Sequence, residues 1–98
     1  MTAQVPAPLL FTPLTLRNVS LKNRIAISPM QQYAAGPDGK VVDYHTVHYG
    51  RMAMGGAGLV FTEALCVAPE VRLTYSDLGI WHDEFVEPLA RLADNIRA

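Results

Sequence analysis

Apolar and polar positions alternate first at Leu14-Thr15-Leu16 and again at Val19-Ser20-Leu21, with Arg17-Asn18 between them. Alternation on both sides of a two-residue break predicts a short hairpin, and Asn18 tolerates the positive φ that a tight turn requires. Arg24-Ile25-Ala26-Ile27-Ser28 reads as a buried strand, which Pro29 helps to end because it brings no amide to a ladder. The loop over 31–42 centres on Gly36-Pro37-Asp38-Gly39, whose second-position Pro and fourth-position Gly suit a type I turn. Asp43 is expected to N-cap a helix reaching about Met54, with Tyr44, Val47, His48 and Met52 roughly on one face. Gly55-Gly56 ends that helix, since glycine takes the left-handed C′ conformation without a Cβ clash. The continuous apolar run over 57–62 suits a strand covered on both faces. A loop of mixed character follows through Trp81. Phe85, Leu89, Leu92 and Ile96 then recur at intervals of 4, 3 and 4 residues and make the core-facing stripe of a last helix. Its start falls near Asp83 or, because Pro88 belongs in a first turn, at Glu87.

The order hairpin, strand, helix, strand, helix points to an α/β fold with a parallel sheet. Two parallel strands alone leave both edges unpaired and much of each helix stripe uncovered. The expected unit is therefore the opening portion of a larger α/β domain, occupying residues 9–98. Residues 1–8, with two prolines and no periodicity, read as a flexible arm.

Composition narrows the function classes. Eight Lys and Arg stand against nine Asp and Glu in 98 residues, a net charge of −1, which leaves no generic footprint for nucleic acid or an anionic membrane. Uncharged apolar runs such as 57–61 fall far short of the ~20 residues of a membrane helix. The first residues lack the basic start of a secretory signal. A lone cysteine, Cys66, makes neither an internal disulfide nor a clustered thiolate site. A cytoplasmic location is the expectation.

In α/β folds ligands bind outside the carboxyl ends of the strands. The first strand delivers Ser28-Pro29-Met30-Gln31-Gln32-Tyr33 there, and the second delivers Thr62-Glu63-Ala64. The loop after the first strand, about a dozen residues, exceeds the usual 2–6 for such connections, which favours a functional loop.

The string Leu21-Lys22-Asn23-Arg24-Ile25-Ala26-Ile27-Ser28-Pro29-Met30-Gln31-Gln32-Tyr33 resembles the first strand of the Old Yellow Enzyme family of flavin oxidoreductases. Asp38-Gly39, Asp43-Tyr44-His45-Thr46-Val47-His48-Tyr49, Gly55-Gly56-Ala57-Gly58-Leu59-Val60, Glu63-Ala64 and Leu78-Gly79-Ile80-Trp81 continue the likeness in order. The ordered set is most similar to the xenobiotic-reductase-like, or thermophilic-like, branch. The resemblance implies the N-terminal portion of a (β/α)₈ TIM barrel, with the hairpin capping its amino-terminal mouth. It implies non-covalent FMN, with NADPH or NADH as reductant and an activated alkene such as an enone as substrate. It assigns Ser28, Pro29, Met30, Gln31 and Ala64 to the flavin and Tyr33 to the substrate. It also implies a homo-oligomer, and it puts the substrate-anchoring His/His or His/Asn pair, the proton-donating tyrosine and the phosphate site beyond residue 98. Related flavin barrels acting on acyl-CoA substrates (a dienoyl-CoA reductase, or the reductase half of an aromatic acyl-CoA hydroxylase) are the alternative, as is a non-catalytic segment needing complementation.

Gln31 departs from the branch, which usually carries cysteine there. An amide cannot form a thiolate but offers a donor, which is expected to bond the flavin near its O4–N5 edge and stabilise negative charge on the reduced ring. The other polar residues read more plainly. His45 and His48 lie one turn apart with no third ligand in sight, so packing is their expected role. Glu63 is expected to orient its neighbours through hydrogen bonds, Cys66 to be an inert thiol, and Trp81 to anchor loop to helix.

Overall fold

The computed structural model describes residue 6 and residues 8–97. Apart from Pro6 and Pro8, the expected flexible arm lies outside the described residues. Strands β1 (Leu14–Leu16) and β2 (Val19–Leu21) pair antiparallel, with Leu14 opposite Leu21 and Leu16 opposite Val19. The turn's positive φ falls on Arg17, at 55°, and not on Asn18. Both hairpin-favoured turns put their first central residue at positive φ, and this register makes Arg17 that residue.

Strand β3 (Ala26–Ile27) pairs parallel with β4 (Leu59–Val60), Ala26 opposite Leu59 and Ile27 opposite Val60. The regular pairing is shorter than either apolar run. Asn23 locks its lower end: Oδ1 accepts from the N–H of Ile25 at 3.0 Å and of Gly58 at 2.8 Å, while Nδ2 donates to the Gly56 carbonyl at 2.7 Å. One side chain thus fixes where the second strand starts against the first.

Between them runs helix α1 (Asp43–Met54). Its N-cap is Val42, one residue before the expected Asp43. Valine has no polar side chain, and the capping chemistry comes instead from His45, whose Nδ1 accepts the Val42 N–H at 3.0 Å. Asp43 sits in the first turn, where a carboxylate favourably meets the positive end of the helix dipole. The packed face also differs from the expected one. His45 and Tyr49 are fully buried, whereas Tyr44 and Val47 are exposed. Hydrophobic periodicity favoured the second set; a buried carboxylate described below makes the first set buriable. Gly56 takes φ 100° after the helix, as expected of its C′ position.

The mixed loop after β4 holds structure that its composition did not announce. Strand β5 (Leu65–Cys66) pairs parallel with β6 (Leu78–Gly79), Leu65 opposite Leu78. Gly79 N–H also donates to the Gly39 carbonyl at 2.9 Å, and Ala35 N–H to the Ser76 carbonyl at 3.1 Å, so the loop after β3 lies along this pair. The Gly36–Gly39 turn closes with the expected Gly39 N–H to Gly36 carbonyl bond at 3.0 Å.

A 3₁₀ turn (Asp83–Phe85) leads into α2 (Val86–Arg97), which begins between the two expected starts and carries Pro88 in its first turn. Phe85 and Leu92 are buried; Leu89 and Ile96 are half-buried. Trp81 meets Phe85 edge-on with ring centroids 4.8 Å apart, anchoring loop to helix.

The molecule is extended, 62 × 27 × 22 Å, with a radius of gyration of 16.7 Å against about 13 Å for a compact chain this long. A groove of about 660 Å³, lined by Val60, Leu65, Leu89, Leu92, Ala93 and Ile96 among others, runs along the inner stripe of α2. No helix among the described residues is long and apolar enough to cross a membrane.

Candidate functional site

Because β3 and β4 are parallel, their carboxyl ends emerge on one side, and residues 28–33 meet residues 62–64 there. One side chain joins the two segments. Gln31 Oε1 accepts the Ala64 N–H at 3.1 Å, so the residue after the first strand is bonded to the backbone after the second. Around this bond Ser28, Pro29, Met30 and Ala64 are exposed and Gln31 is half-buried. Met30 shows 46% and Tyr33 59% of their surface. Tyr33 also adopts φ 56°, a left-handed conformation costly for a residue with a bulky Cβ substituent. Such strain is concentrated at ligand-binding positions. The structure therefore brings Gln31 and Ala64 into contact, and presents Ser28, Pro29, Met30 and Tyr33 on open backbone beside them.

Beneath the rim lies a buried carboxylate. Glu63 is wholly enclosed, and its Oε1 accepts the Tyr49 hydroxyl at 2.9 Å. The Tyr49 oxygen in turn accepts the Glu63 N–H at 2.7 Å. Oε2 accepts the Gln32 N–H at 3.3 Å. Burial, the largest cause, together with the Glu63 carboxylate pushes the Tyr49 hydroxyl well above the usual phenol range, so it remains a proton donor. His45 faces the same carboxylate, with Nε2 at 3.6 Å from Oε1. Its Nδ1 accepts from Val42, so the ring proton sits on Nε2 and points to a site too far for a hydrogen bond. His45 is thus a helix cap and a packed wall, in keeping with the packing role expected of it.

The Gln32 side chain extends the same brace. Its Oε1 accepts the Tyr44 hydroxyl at 2.7 Å, and its Nε2 donates to the Met30 carbonyl at 3.1 Å. Helix α1 therefore holds the loop after β3 at two points, through Glu63 and through Gln32. The orienting role expected of Glu63 is what the geometry shows.

A second buried acid, Asp77, escaped the sequence reading. It immediately precedes β6 and is fully enclosed. Oδ1 accepts from Gln31 Nε2 and from Thr74 Oγ1, each at 2.9 Å, while Oδ2 accepts from the backbone of Leu73 at 2.6 Å and Thr74 at 3.2 Å. Burial alone would raise its pKa, but the bonds from Thr74, Leu73 and Gln31 outweigh it and hold the carboxyl below the usual carboxylate range. Thr74 three residues before Asp77 is the spacing of a side-chain-closed turn, the one signal that could have marked it. Cys66 Sγ lies 3.8 Å from Oδ2; burial first, then this negative neighbour, pushes the thiol up, as suits an inert cysteine.

Comparison with known proteins gives a consistent answer. The profile of the NADH:flavin oxidoreductase / NADH oxidase family matches residues 9–98. The chain is 51% identical over 89 residues to an NADPH dehydrogenase of Bacillus cytotoxicus, covering 90% of this chain and 26% of that protein. Among solved structures, morphinone reductase superposes on 92% of this chain with a TM-score of 0.81 and 31% identity, and 23% of its own chain is covered. An Old Yellow Enzyme from Pichia sp. AKU4542 gives a TM-score of 0.83 and 27% identity over 91% of this chain and 23% of its own. The chain spans about a quarter of the length of each of these proteins.

Proposed function

Because the chain belongs to the NADH:flavin oxidoreductase / NADH oxidase family, the Old Yellow Enzymes, and has the fold of the first strand–helix units of their (β/α)₈ barrel, we propose that it forms the flavin-facing wall of an FMN-dependent ene-reductase. In the complete barrel, NADPH or NADH is the reductant and the C=C bond of an activated small-molecule alkene is the acceptor. The single observation that carries this reading is the Gln31–Ala64 bond, which closes the ends of two parallel strands into one exposed, partly apolar rim.

The residues present fit a flat heteroaromatic ring. Pro29, Met30 and Ala64 offer exposed, largely apolar surface beside the polar Gln31, and Ala64 carries too little side chain to fill the space over its own backbone. Gln31 spends one Nε2 hydrogen on Asp77 and keeps the other, a donor suited to the polar edge of FMN. The chemistry that bound FMN supplies is hydride transfer between nicotinamide and substrate. The work of this segment is to orient. Glu63 and Gln32 hold the backbone of 30–32 against α1, which keeps the rim rigid. Tyr33, exposed and held at positive φ, is the group of this chain that meets the substrate. Preorganisation of this kind brings reacting atoms into register at small entropic cost.

The test uses the enzyme carrying its complete barrel. It is expected to retain yellow flavin after incubation with FMN and desalting, to bleach with NADPH or NADH, and to recover colour when an enone is added. A colourless protein contradicts the flavin assignment; a bleached flavin that reoxidises no faster with the enone contradicts the substrate assignment.

A further inference from the structure

The buried cluster beside the rim has a consequence for Gln31. A carboxamide can sit either way round in most surroundings, because its oxygen and nitrogen ends are nearly the same shape. Here both ends are specified. A backbone N–H, that of Ala64, meets one end, and the Asp77 carboxylate meets the other. An ionised carboxylate only accepts, so the NH₂ group must face it and the oxygen must face Ala64. Asp77 cannot turn away to suit a flipped amide, since Leu73, Thr74 and Gln31 together occupy both of its oxygens.

We propose that Asp77 is a positioning residue for the flavin: by accepting one hydrogen of the Gln31 NH₂ group, it fixes which way round that amide stands and keeps the second hydrogen at the rim as a donor. The proposal rests on the reading of Gln31 as a flavin contact. It goes beyond that reading by assigning the orientation of the contact to a residue 46 positions away that touches no ligand. Asp77 acts on the flavin only through Gln31, and that restriction separates it from a residue that merely closes the turn at 73–77.

The experiment is a double-mutant cycle on the complete holoenzyme, read as the flavin midpoint potential. Asp77→Asn replaces an acceptor-only group with one that can also donate, so the Asp77 end no longer dictates the orientation of the Gln31 amide and only the Ala64 N–H still opposes its turning. The expected shift is negative, about a tenfold change in the reduced-to-oxidised ratio at fixed potential, or about 30 mV for a two-electron couple. In a Gln31→Met background the same substitution should move that ratio less than about twofold. An unshifted Asp77→Asn enzyme, or an equal shift in both backgrounds, overturns the proposal while leaving FMN binding intact. An unmutated enzyme that holds no flavin overturns the functional reading and this proposal together. If Asp77→Asn does not fold, hydrogen exchange in the unmutated holoenzyme decides. The Gln31 side-chain amide should exchange at least about tenfold slower than a free glutamine amide, and exchange at the free rate overturns the assignment.

Discussion

Glu63→Ala is expected to destabilise the complete barrel by about 3 kcal/mol, since the substitution strips partners from several enclosed groups at once. The Tyr49 hydroxyl loses its acceptor at 2.9 Å, the Gln32 N–H loses its acceptor at 3.3 Å, and the enclosed His45 Nε2 loses the carboxyl group it faces at 3.6 Å. Unsatisfied buried donors typically cost about 1–3 kcal/mol each, and partial relaxation keeps the sum below simple addition. Glu63→Gln retains a carbonyl acceptor for Tyr49 and should lose about half as much. The measurement is the urea midpoint at unchanged slope, which reports stability and not a change in the unfolded state. A loss under about 1 kcal/mol for Glu63→Ala would mean that α1 is held by packing alone. Because Glu63 neighbours Ala64 and braces Gln32, the same variant should release flavin more readily than the parent enzyme.

Gly58→Ala should be the second severe substitution, for a steric reason. A Cβ at this position would stand 2.7 Å from both the backbone oxygen and Oδ1 of Asn23, and 3.1 Å from its amide nitrogen. Two of those three atoms belong to backbone, so no rotamer change relieves the contact. Overpacking of this kind typically costs about 1–3 kcal/mol, and here the upper part of that range is expected because the Asn23 lock must open as well. Gly50→Ala is the matched control, since nothing lies within 4 Å of its Cβ position. Thermal unfolding of the pair should differ by several degrees; coincident transitions would show that the β3–β4 register does not depend on the Asn23–Gly58 approach.

The elements legible in the sequence were those with a repeating apolar signal. The hairpin, the two parallel strands and both helices followed from alternation, continuous apolar runs and the Phe85–Ile96 stripe. Strands β5 and β6 carried no such signal, because each is two residues long and its pairing partner lies across the 67–77 connection. The α1 face was misread for a related reason. Periodicity weighs apolar side chains, but His45 and Tyr49 are buried by polar complementarity to Glu63, a partner that only the fold supplies. The displaced N-cap has the same origin, since His45 does from inside the first turn what a polar cap residue does from outside it. At the site, strand order placed Gln31 and Ala64 on one rim, whereas the bond between them and the Asp77 carboxylate behind them depend on loop geometry that no local pattern encodes.

The most direct measurement is a density map of the complete enzyme grown with FMN. A planar three-ring system should lie along Pro29, Met30 and Ala64, with its polar edge within hydrogen-bond distance of Gln31 Nε2. A map in which the protein's own side chains close over residues 28–31 and leave no slot beside Gln31 would contradict the account at its root.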